Sequence, residues 1–310
     1  MRIVFMGTPE FAVPSLDALK DKVICVVTQP DRPKGRGHKL QPPPVKIFAE
    51  KNNLPVLQPL KVRVPEVVEQ IAALKPDLIV VVAFGQILPQ NLLDVPKFGC
   101  INVHASLLPK FRGAAPIEWS IIRGEKITGI TTMKMNAGLD TGDMLLKREV
   151  EIGDEMILPE LREKLMTIGA ELLVETIENL GDIKPIKQDD SLSTYAPLIK
   201  KDTGLIDWNK SAREIHNLIR GLYGGAFTAM RNAQGAMRNE MFPKFKIWRT
   251  KLADENLLPA QIKIVGQKFF VGTGDGSLEI LEIQAPNSKK LAAADFLRGN
   301  KVGDSFWTNE

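Results

Sequence analysis

An amide and an imidazole lie two residues apart near the middle of the chain, in Asn102-Val103-His104. The apolar residues before them predict the end of a β-strand, where side chains alternate between the two faces of a sheet. Asn102 and His104 therefore project from one face, and Val103 from the other. An amide N–H stabilises a developing oxyanion while a nearby imidazole moves a proton. The pair indicates chemistry of the acyl-transfer type.

A carboxylate is supplied by Leu139-Asp140-Thr141-Gly142-Asp143, a glycine-bearing loop after a predicted strand. Asp140 is expected to orient the His104 ring and to stabilise its cationic form. Two ordinary alternatives stay open, because a strand histidine is often a hydrogen-bonded core residue and a loop aspartate is often only a turn residue.

Other chemistries have less support in the sequence. The histidines, cysteines and carboxylates show no metal-ligand spacing, so no metal is expected. Cys25 and Cys100 lie in apolar, strand-like runs and are predicted to be buried small residues of a reducing compartment. Ser106 lacks the G-x-S-x-G pattern of hydrolases and is predicted to bind a ligand instead.

Strand-like and helical patterns alternate through the first half of the chain. This alternation predicts an α/β fold with an open, mostly parallel, Rossmann-like sheet that carries helices on both faces. Ligands of such sheets bind beyond the carboxyl ends of the strands. Phe84-Gly85-Gln86, His104 and the loop after Lys134 are expected at that edge. The G-x-G-x-x-G pattern of dinucleotide sites is absent from the first turn.

The second half has a different pattern. Short strand-like runs separated by glycine turns predict a small, OB-like β-barrel. We therefore expect a first domain over 1–183, a linker over 184–205 and the barrel over 206–310.

Positive charge is concentrated at two places. Residues 206–310 hold 15 basic and 11 acidic residues, which accounts for the whole net charge of +4. An earlier run over 32–49 contains five basic and no acidic residues. One such cluster is usually a solvated face, but two favour a polyanionic partner.

No segment approaches the roughly 20 apolar residues that cross a bilayer. The first strand pattern begins at Arg2, so we expect no targeting segment and a cytoplasmic protein. We also expect a monomer.

The chain resembles the methionyl-tRNA formyltransferases, within the folate-dependent formyltransferase family, over essentially its whole length. The N-x-H, S-L-L-P and L-D-T-G-D elements are typical of folate-dependent formyltransferases in general, and Q-P-D-R-P-K-G-R-G is narrower. The matching stretches are 5–12, 28–37, 84–89, 102–109, 112–117, 139–143, 206–208, 215–217 and 219–222.

This resemblance implies transfer of the formyl group of 10-formyltetrahydrofolate to the α-amino group of initiator methionyl-tRNA. It implies Asn102, His104 and Asp140 as catalytic residues. The implied folate-binding residues are Phe84, Gly85, Gln86, Ile87, Leu88, Ser106, Leu107, Leu108, Pro109, Leu139, Thr141, Gly142 and Asp143. The implied tRNA contacts are Arg32, Lys34, Arg36, Lys39, Arg231, Lys244, Lys246 and Arg249.

Departures from the family pattern occur at Tyr223-Gly224-Gly225, within 229–243 and within 284–290. They concern tRNA docking rather than the transfer site. Three other functions remain open at this point. The chain could formylate a small amine, hydrolyse formyltetrahydrofolate, or bind RNA on an inactive transferase fold.

Overall fold

The computed structural model describes residues 1–34, 39–229, 244–300 and 302–306. Its contacts define two compact units. The first contains 1–116, 127–151 and 162–196, and the second contains 117–126, 152–161 and the described part of 197–310. Two short segments that precede residue 162 therefore belong to the second unit. The linear domain boundaries at 183 and 206 stay a prediction.

A seven-stranded sheet forms the centre of the first unit. Its order is β10-β9-β7-β6-β1-β2-β5, and two small two-stranded sheets, β3-β4 and β8-β11, accompany it. The strands are β1 (Ile3–Gly7), β2 (Val23–Val27), β3 (Arg32–Lys34), β4 (Lys39–Gln41), β5 (Val56–Leu57), β6 (Leu78–Val82), β7 (Cys100–His104), β8 (Arg112–Gly113), β9 (Ile127–Lys134), β10 (Met144–Glu151) and β11 (Tyr195–Ala196). The helices of the first 196 residues are α1 (Val13–Leu19), α2 (Pro44–Lys51), α3 (Pro65–Ala73), α4 (Gln90–Leu93), α5 (Pro116–Ile122) and α6 (Leu158–Glu178).

The predicted mostly parallel sheet with helices on both faces is confirmed. Every residue of β1 and β6 is buried, as expected for apolar strands covered on both sides. On one face, α6 packs closely against β7: a Cβ added to Gly169 of α6 would lie 3.3 Å from Val103 Cγ1. On the other face, Val81 and Cys100 belong to one apolar cluster with Ile71 of α3 and Leu92 of α4.

Strand β9 corrects one expectation. It runs antiparallel to β7, and Lys134 pairs with Ile101 while Thr131 pairs with His104. The loop after Lys134 therefore begins at the opposite end of β7 from His104, and its predicted start at the carboxyl edge is wrong. The loop must turn back to bring Asp140 toward the histidine. Apolar patterning predicts that a strand exists but not the direction in which it pairs.

The second unit is built on a six-stranded antiparallel sheet, which corresponds to the predicted β-domain. Its order is β12-β13-β16-β15-β14, with β17 beside β16. Its elements are α7 (Ala212–Leu222), β12 (Phe227–Ala229), β13 (Lys244–Ala253), β14 (Ile262–Val265), β15 (Lys268–Gly272), β16 (Ser277–Gln284), β17 (Leu291–Ala292) and α8 (Ala293–Gly299). Trp208 is fully buried in its core. A reciprocal Ser211–Glu214 capping box starts α7.

The segment predicted as a linker is partly structured. Tyr195–Ala196 forms β11, which pairs in parallel with β8. The Asp189 side chain accepts the N–H of Ser191 and caps a 3-10 turn over Asp190–Leu192. No helix in the described part of the chain is long and apolar enough to cross a membrane.

Candidate active site

His104 ends β7 with its ring almost completely buried, at 5% exposure. Its Nε2 lies 2.9 Å from the carbonyl oxygen of Phe111, so Nε2 carries a proton and donates it. Its Nδ1 lies 3.7 Å from Asp140 Oδ2. This separation is too long for a hydrogen bond but within the distance of an ion pair. The structure thus brings His104 and Asp140 together.

Asn102 projects from the same face of β7 as His104, as strand alternation predicts, and it is half-buried. Its side chain has no hydrogen-bond partner within the described residues. A primary amide that is half-buried and unpaired is able to donate to a ligand without breaking an existing bond. The apolar cluster that contains Val81, Phe84, Leu88 and Cys100 lies on this side of the sheet.

Asp140 adopts a left-handed backbone conformation with φ of 51°. Aspartate tolerates this region better than most residues but still needs support from its surroundings. Its Oδ2 accepts the backbone N–H of Gly113 at 2.8 Å. Its backbone carbonyl accepts a hydrogen bond from Gln188 Nε2 at 2.8 Å.

Gln188 is a residue that sequence reasoning missed. It is buried, and its Oε1 accepts Nε and Nη2 of Arg112 at 3.0 and 2.8 Å. A single glutamine in a segment rich in Pro, Asp and Lys shows no spacing or periodicity that would have identified it.

The Ser106–Pro109 loop is held by its own hydrogen bonds. Ser106 is fully buried and its hydroxyl donates to the carbonyl of Lys110 at 2.6 Å. The Thr131 hydroxyl donates to the carbonyl of Ser106, and Lys147 Nζ donates to that of Leu108. Burial lowers the pKa of Lys147. The Ser106 hydroxyl therefore serves the loop in this structure.

Leu107 and Pro109 are half-buried in the same loop, and the Leu108–Pro109 peptide bond is cis. Leu108 itself is buried against Met133 and Met144.

The predicted folate residues after β6 differ in exposure. Phe84 and Leu88 are buried, Gly85 is exposed with φ of 82°, and Ile87 is 80% exposed. The Gln86 Oε1 accepts the N–H of Val62 at 2.7 Å, which anchors the segment.

The loop that carries Asp140 has an exposed Leu139 and an exposed Asp143. Thr141 donates its hydroxyl to Asn136 Oδ1 at 2.8 Å. Gly142 leaves no room for a side chain, because a Cβ there would lie 1.7 Å from the carbonyl oxygen of Lys134.

The two cysteines are free and buried, as predicted. Burial raises the pKa of Cys25 to about 11 and that of Cys100 to about 12. Neither is a nucleophile near neutral pH. No cluster of three or more potential metal ligands is found in the ranges that the structure describes.

The basic residues predicted to contact tRNA lie in both units. Arg36 and Arg231 fall outside the described residues, and Lys34 is described only by its backbone in β3. The others have exposed or partly exposed side chains: Arg32 beside Gln29 Oε1, Lys39, Lys244 over the Phe227 ring, Lys246, and Arg249 beside Glu160.

Comparison with known families gives two matches in succession. The description "Formyl transferase" fits residues 1–177, and "Formyl transferase, C-terminal domain" fits residues 198–301. A methionyl-tRNA formyltransferase of Citrifermentans bemidjiense is 53% identical over 308 residues, covering 97% of this chain and 94% of that protein. One of Acetivibrio thermocellus is 51% identical, covering 98% of each.

Solved structures share the fold at lower identity. An N-formyltransferase from Helicobacter canadensis, in complex with folinic acid and dTDP-3-aminofucose, has a TM-score of 0.66 and 21% identity. The match covers 94% of this chain and all of that one. HypX from Aquifex aeolicus, in complex with tetrahydrofolic acid, has a TM-score of 0.62 and 19% identity, covering 99% of this chain and 51% of HypX. On the sequence matches, the chain belongs to the methionyl-tRNA formyltransferase family of formyl transferases.

Proposed function

We propose that this chain transfers the formyl group of 10-formyltetrahydrofolate to the α-amino group of initiator methionyl-tRNA. The observation that carries the proposal is the grouping of an unpaired Asn102 amide, the His104 imidazole and the Asp140 carboxylate around the end of one strand. Relatives that are about half identical and are named methionyl-tRNA formyltransferases support the choice of substrate.

The chemical step is attack by the neutral amine on the formyl carbon. The new C–N bond leaves a negative charge on the formyl oxygen and a positive charge on the amine nitrogen. Asn102 donates an N–H to that oxygen, with protonated His104 beside it. Loss of one such donor typically lowers the rate by ~10²–10³.

Asp140 and His104 together balance the protons of the reaction. Asp140 accepts the proton that leaves the ammonium, directly or through a water. The C–N bond to N10 of the donor then breaks, and His104 supplies the proton that N10 requires. One proton is removed and one delivered, so no covalent enzyme intermediate is needed.

The donor is proposed to bind against the loops around Ile87 and Leu139. Both are aliphatic side chains that are more than half exposed, at 80% and 54%. Covering them with the flat ring of a folate removes apolar surface from water. Residues 84–88, 106–109 and the 139–143 loop (apart from catalytic Asp140) remain the proposed donor pocket.

The tRNA is proposed to contact the exposed cations of both units. Arg32, Lys34, Arg36 and Lys39 are assigned to its acceptor end. Arg231, Lys244, Lys246 and Arg249 are assigned to its body, through the basic domain over 206–310. In this view residues 1–183 carry the chemistry and 184–205 connect them to that domain. We further propose that the enzyme is a cytoplasmic monomer.

The direct test incubates the protein with formyl donor and methionyl-tRNA, with uncharged tRNA and free methionine as controls. We expect formyl-methionyl-tRNA only from the charged tRNA. Release of formate without an acceptor would instead indicate a hydrolase. RNA binding without any product would indicate an inactive transferase fold.

The tRNA contacts are tested by salt. Lys246→Ala should raise KM for methionyl-tRNA, leave kcat unchanged and lower the salt slope of log KM by about 1. Lys263→Ala is the matched control, because that lysine already pairs with Glu255 at 2.6 Å. A KM that does not depend on salt would favour a small-amine substrate.

A further inference from the structure

The position of Asp140 depends on residues that touch no reacting group. Gln188 Nε2 donates to the backbone carbonyls of Asp140 and Gly142, at 2.8 and 2.7 Å. The Gly113 N–H donates to the Asp140 carboxylate at 2.8 Å. Because Asp140 has a left-handed backbone at φ of 51°, these outside contacts are needed to keep the loop in this conformation.

The orientation of the Gln188 amide is defined by its neighbours. Arg112 only donates, so the Gln188 oxygen must face the guanidinium, which supplies Nε and Nη2 at 3.0 and 2.8 Å. The amide nitrogen then faces the two loop carbonyls, and both of its N–H groups are used. The side chain is only 6% exposed, so water does not readily replace these bonds.

Arg112 is held in turn. Its Nη2 also lies 2.8 Å from Asp190 Oδ1, and its backbone N–H donates to the carbonyl of Thr194 at 2.9 Å. A continuous set of hydrogen bonds therefore runs from β8 through Gln188 to the loop that carries Asp140.

We infer that Gln188, oriented by Arg112, is a positioning residue for Asp140 in formyl transfer, an inference that rests on the proposed function. Gln188 sets the distance between the Asp140 carboxylate and His104 without contacting substrate. A displacement of about 1 Å at a reacting group lowers rates by up to ~100-fold.

Two variants test the role. Gln188→Ala removes every bond of the amide, whereas Gln188→Glu keeps the acceptor for Arg112 and loses the N–H donors. We expect both to lower kcat by about 10- to 100-fold while KM for each substrate changes less than about 3-fold. Gln90→Ala is the control, since Gln90 Nε2 donates only to Asp94 on the surface, and its kcat should be unchanged.

A readout independent of activity is amide hydrogen exchange at Gly113, whose N–H is protected by the Asp140 carboxylate. Exchange there should accelerate in both Gln188 variants. The N–H groups of Arg112 and Ala114 are internal controls, because they donate to the carbonyls of Thr194 and Ala196. Unchanged exchange at Gly113 would overturn the inference.

Combination with Asp140→Ala separates positioning from loss of folding. Once the carboxylate is absent, Gln188→Ala should lower kcat no further. An equal loss in both backgrounds would show that Gln188 acts only on folding and would refute the role. If Asp140→Ala alone keeps full activity, the proposed mechanism fails, and exchange at Gly113 still decides whether Gln188 positions the loop.

Discussion

Two buried histidines, one in each unit, differ in how their ring nitrogens are bonded. His216 of α7 is 2% exposed; its Nε2 donates to the carbonyl of Asp154 at 3.1 Å and its Nδ1 accepts the Thr250 hydroxyl at 3.0 Å. His104 is 5% exposed, with one hydrogen bond to the Phe111 carbonyl and a second nitrogen 3.7 Å from the Asp140 carboxylate. Both ring nitrogens of His216 are therefore occupied by hydrogen bonds to neutral groups, whereas Nδ1 of His104 faces the Asp140 carboxylate at a distance too long for a hydrogen bond.

The contacts of His216 have a structural role. Burial is the main cause that lowers its pKa, opposed by the Asp154 carbonyl and by Glu155, whose Oε2 lies 3.8 Å from Nε2. One turn later on α7, Arg220 Nη1 donates to the carbonyls of Gly153 and Met156, at 3.2 and 3.1 Å. Together these side chains bind the 153–156 loop to α7.

The largest expected difference between the two histidines is in turnover. His104→Ala should lower kcat by at least about 10²–10³-fold, since it removes an oxyanion and proton donor. His216→Ala should change kcat by less than about 3-fold, because no reacting group depends on it. Initial rates at saturating substrates measure both, with methionyl-tRNA binding to His104→Ala as the control for folding. A comparable loss of kcat in the two variants would contradict the comparison.

The amino-acid sequence predicts only part of this difference between His104 and His216. Alternation along β7 was enough to predict that Asn102 and His104 share a face, and the glycine-bearing loop after a predicted strand indicated Asp140, which the resemblance then supported. The partners of His216, by contrast, are 62 and 34 residues away along the chain. Sequence neighbours such as Val103 and Ile215 therefore could not show which histidine has both nitrogens bonded.

The fold was predictable where the local pattern of apolar and turn residues determines it. It was not predictable where the pairing between strands determines it. The alternation of strand-like and helical patterns predicted the mostly parallel sheet, and the short strand-like runs between glycine turns predicted a small β-domain in the second half. The reversed direction of β9 depends on pairing with β7, which periodicity does not encode. Sequence reasoning missed Gln188 for the same reason, because its inferred role depends on Arg112 and Asp140, which are distant in sequence.

The second difference is in stability. His216→Ala leaves the Thr250 hydroxyl and the Asp154 carbonyl without their partner, and we expect a loss of ~1–3 kcal/mol in the free energy of unfolding. His104→Ala leaves only the Phe111 carbonyl and should lose less. Urea unfolding is followed by circular dichroism for the whole chain and by tryptophan fluorescence for the second unit, which contains Trp119, Trp208 and Trp248. An unchanged midpoint for His216→Ala would show that its two hydrogen bonds contribute nothing.

The smallest difference is in the pH dependence of stability. In the unfolded chain a histidine titrates near ~6.5, and in the folded protein burial holds the pKa of His216 below its usual value. As the pH falls below about 6.5, the unfolded chain therefore binds a proton that the folded protein does not, and the free energy of unfolding falls by at most ~1.4 kcal/mol per pH unit. Above that pH the residue adds no slope.

His216→Gln removes this titration while keeping a side chain able to donate and accept. The midpoint of the tryptophan transition should therefore fall less between pH 7 and pH 5 in His216→Gln than in the wild-type protein. His104→Gln is the matched control. His104 belongs to the first unit, so its replacement should leave the pH dependence of the tryptophan transition unchanged. Parallel curves for wild type and His216→Gln would mean that the folded protein takes up a proton on His216 as readily as the unfolded chain does. The lowered pKa assigned to His216 in the folded protein would then be wrong.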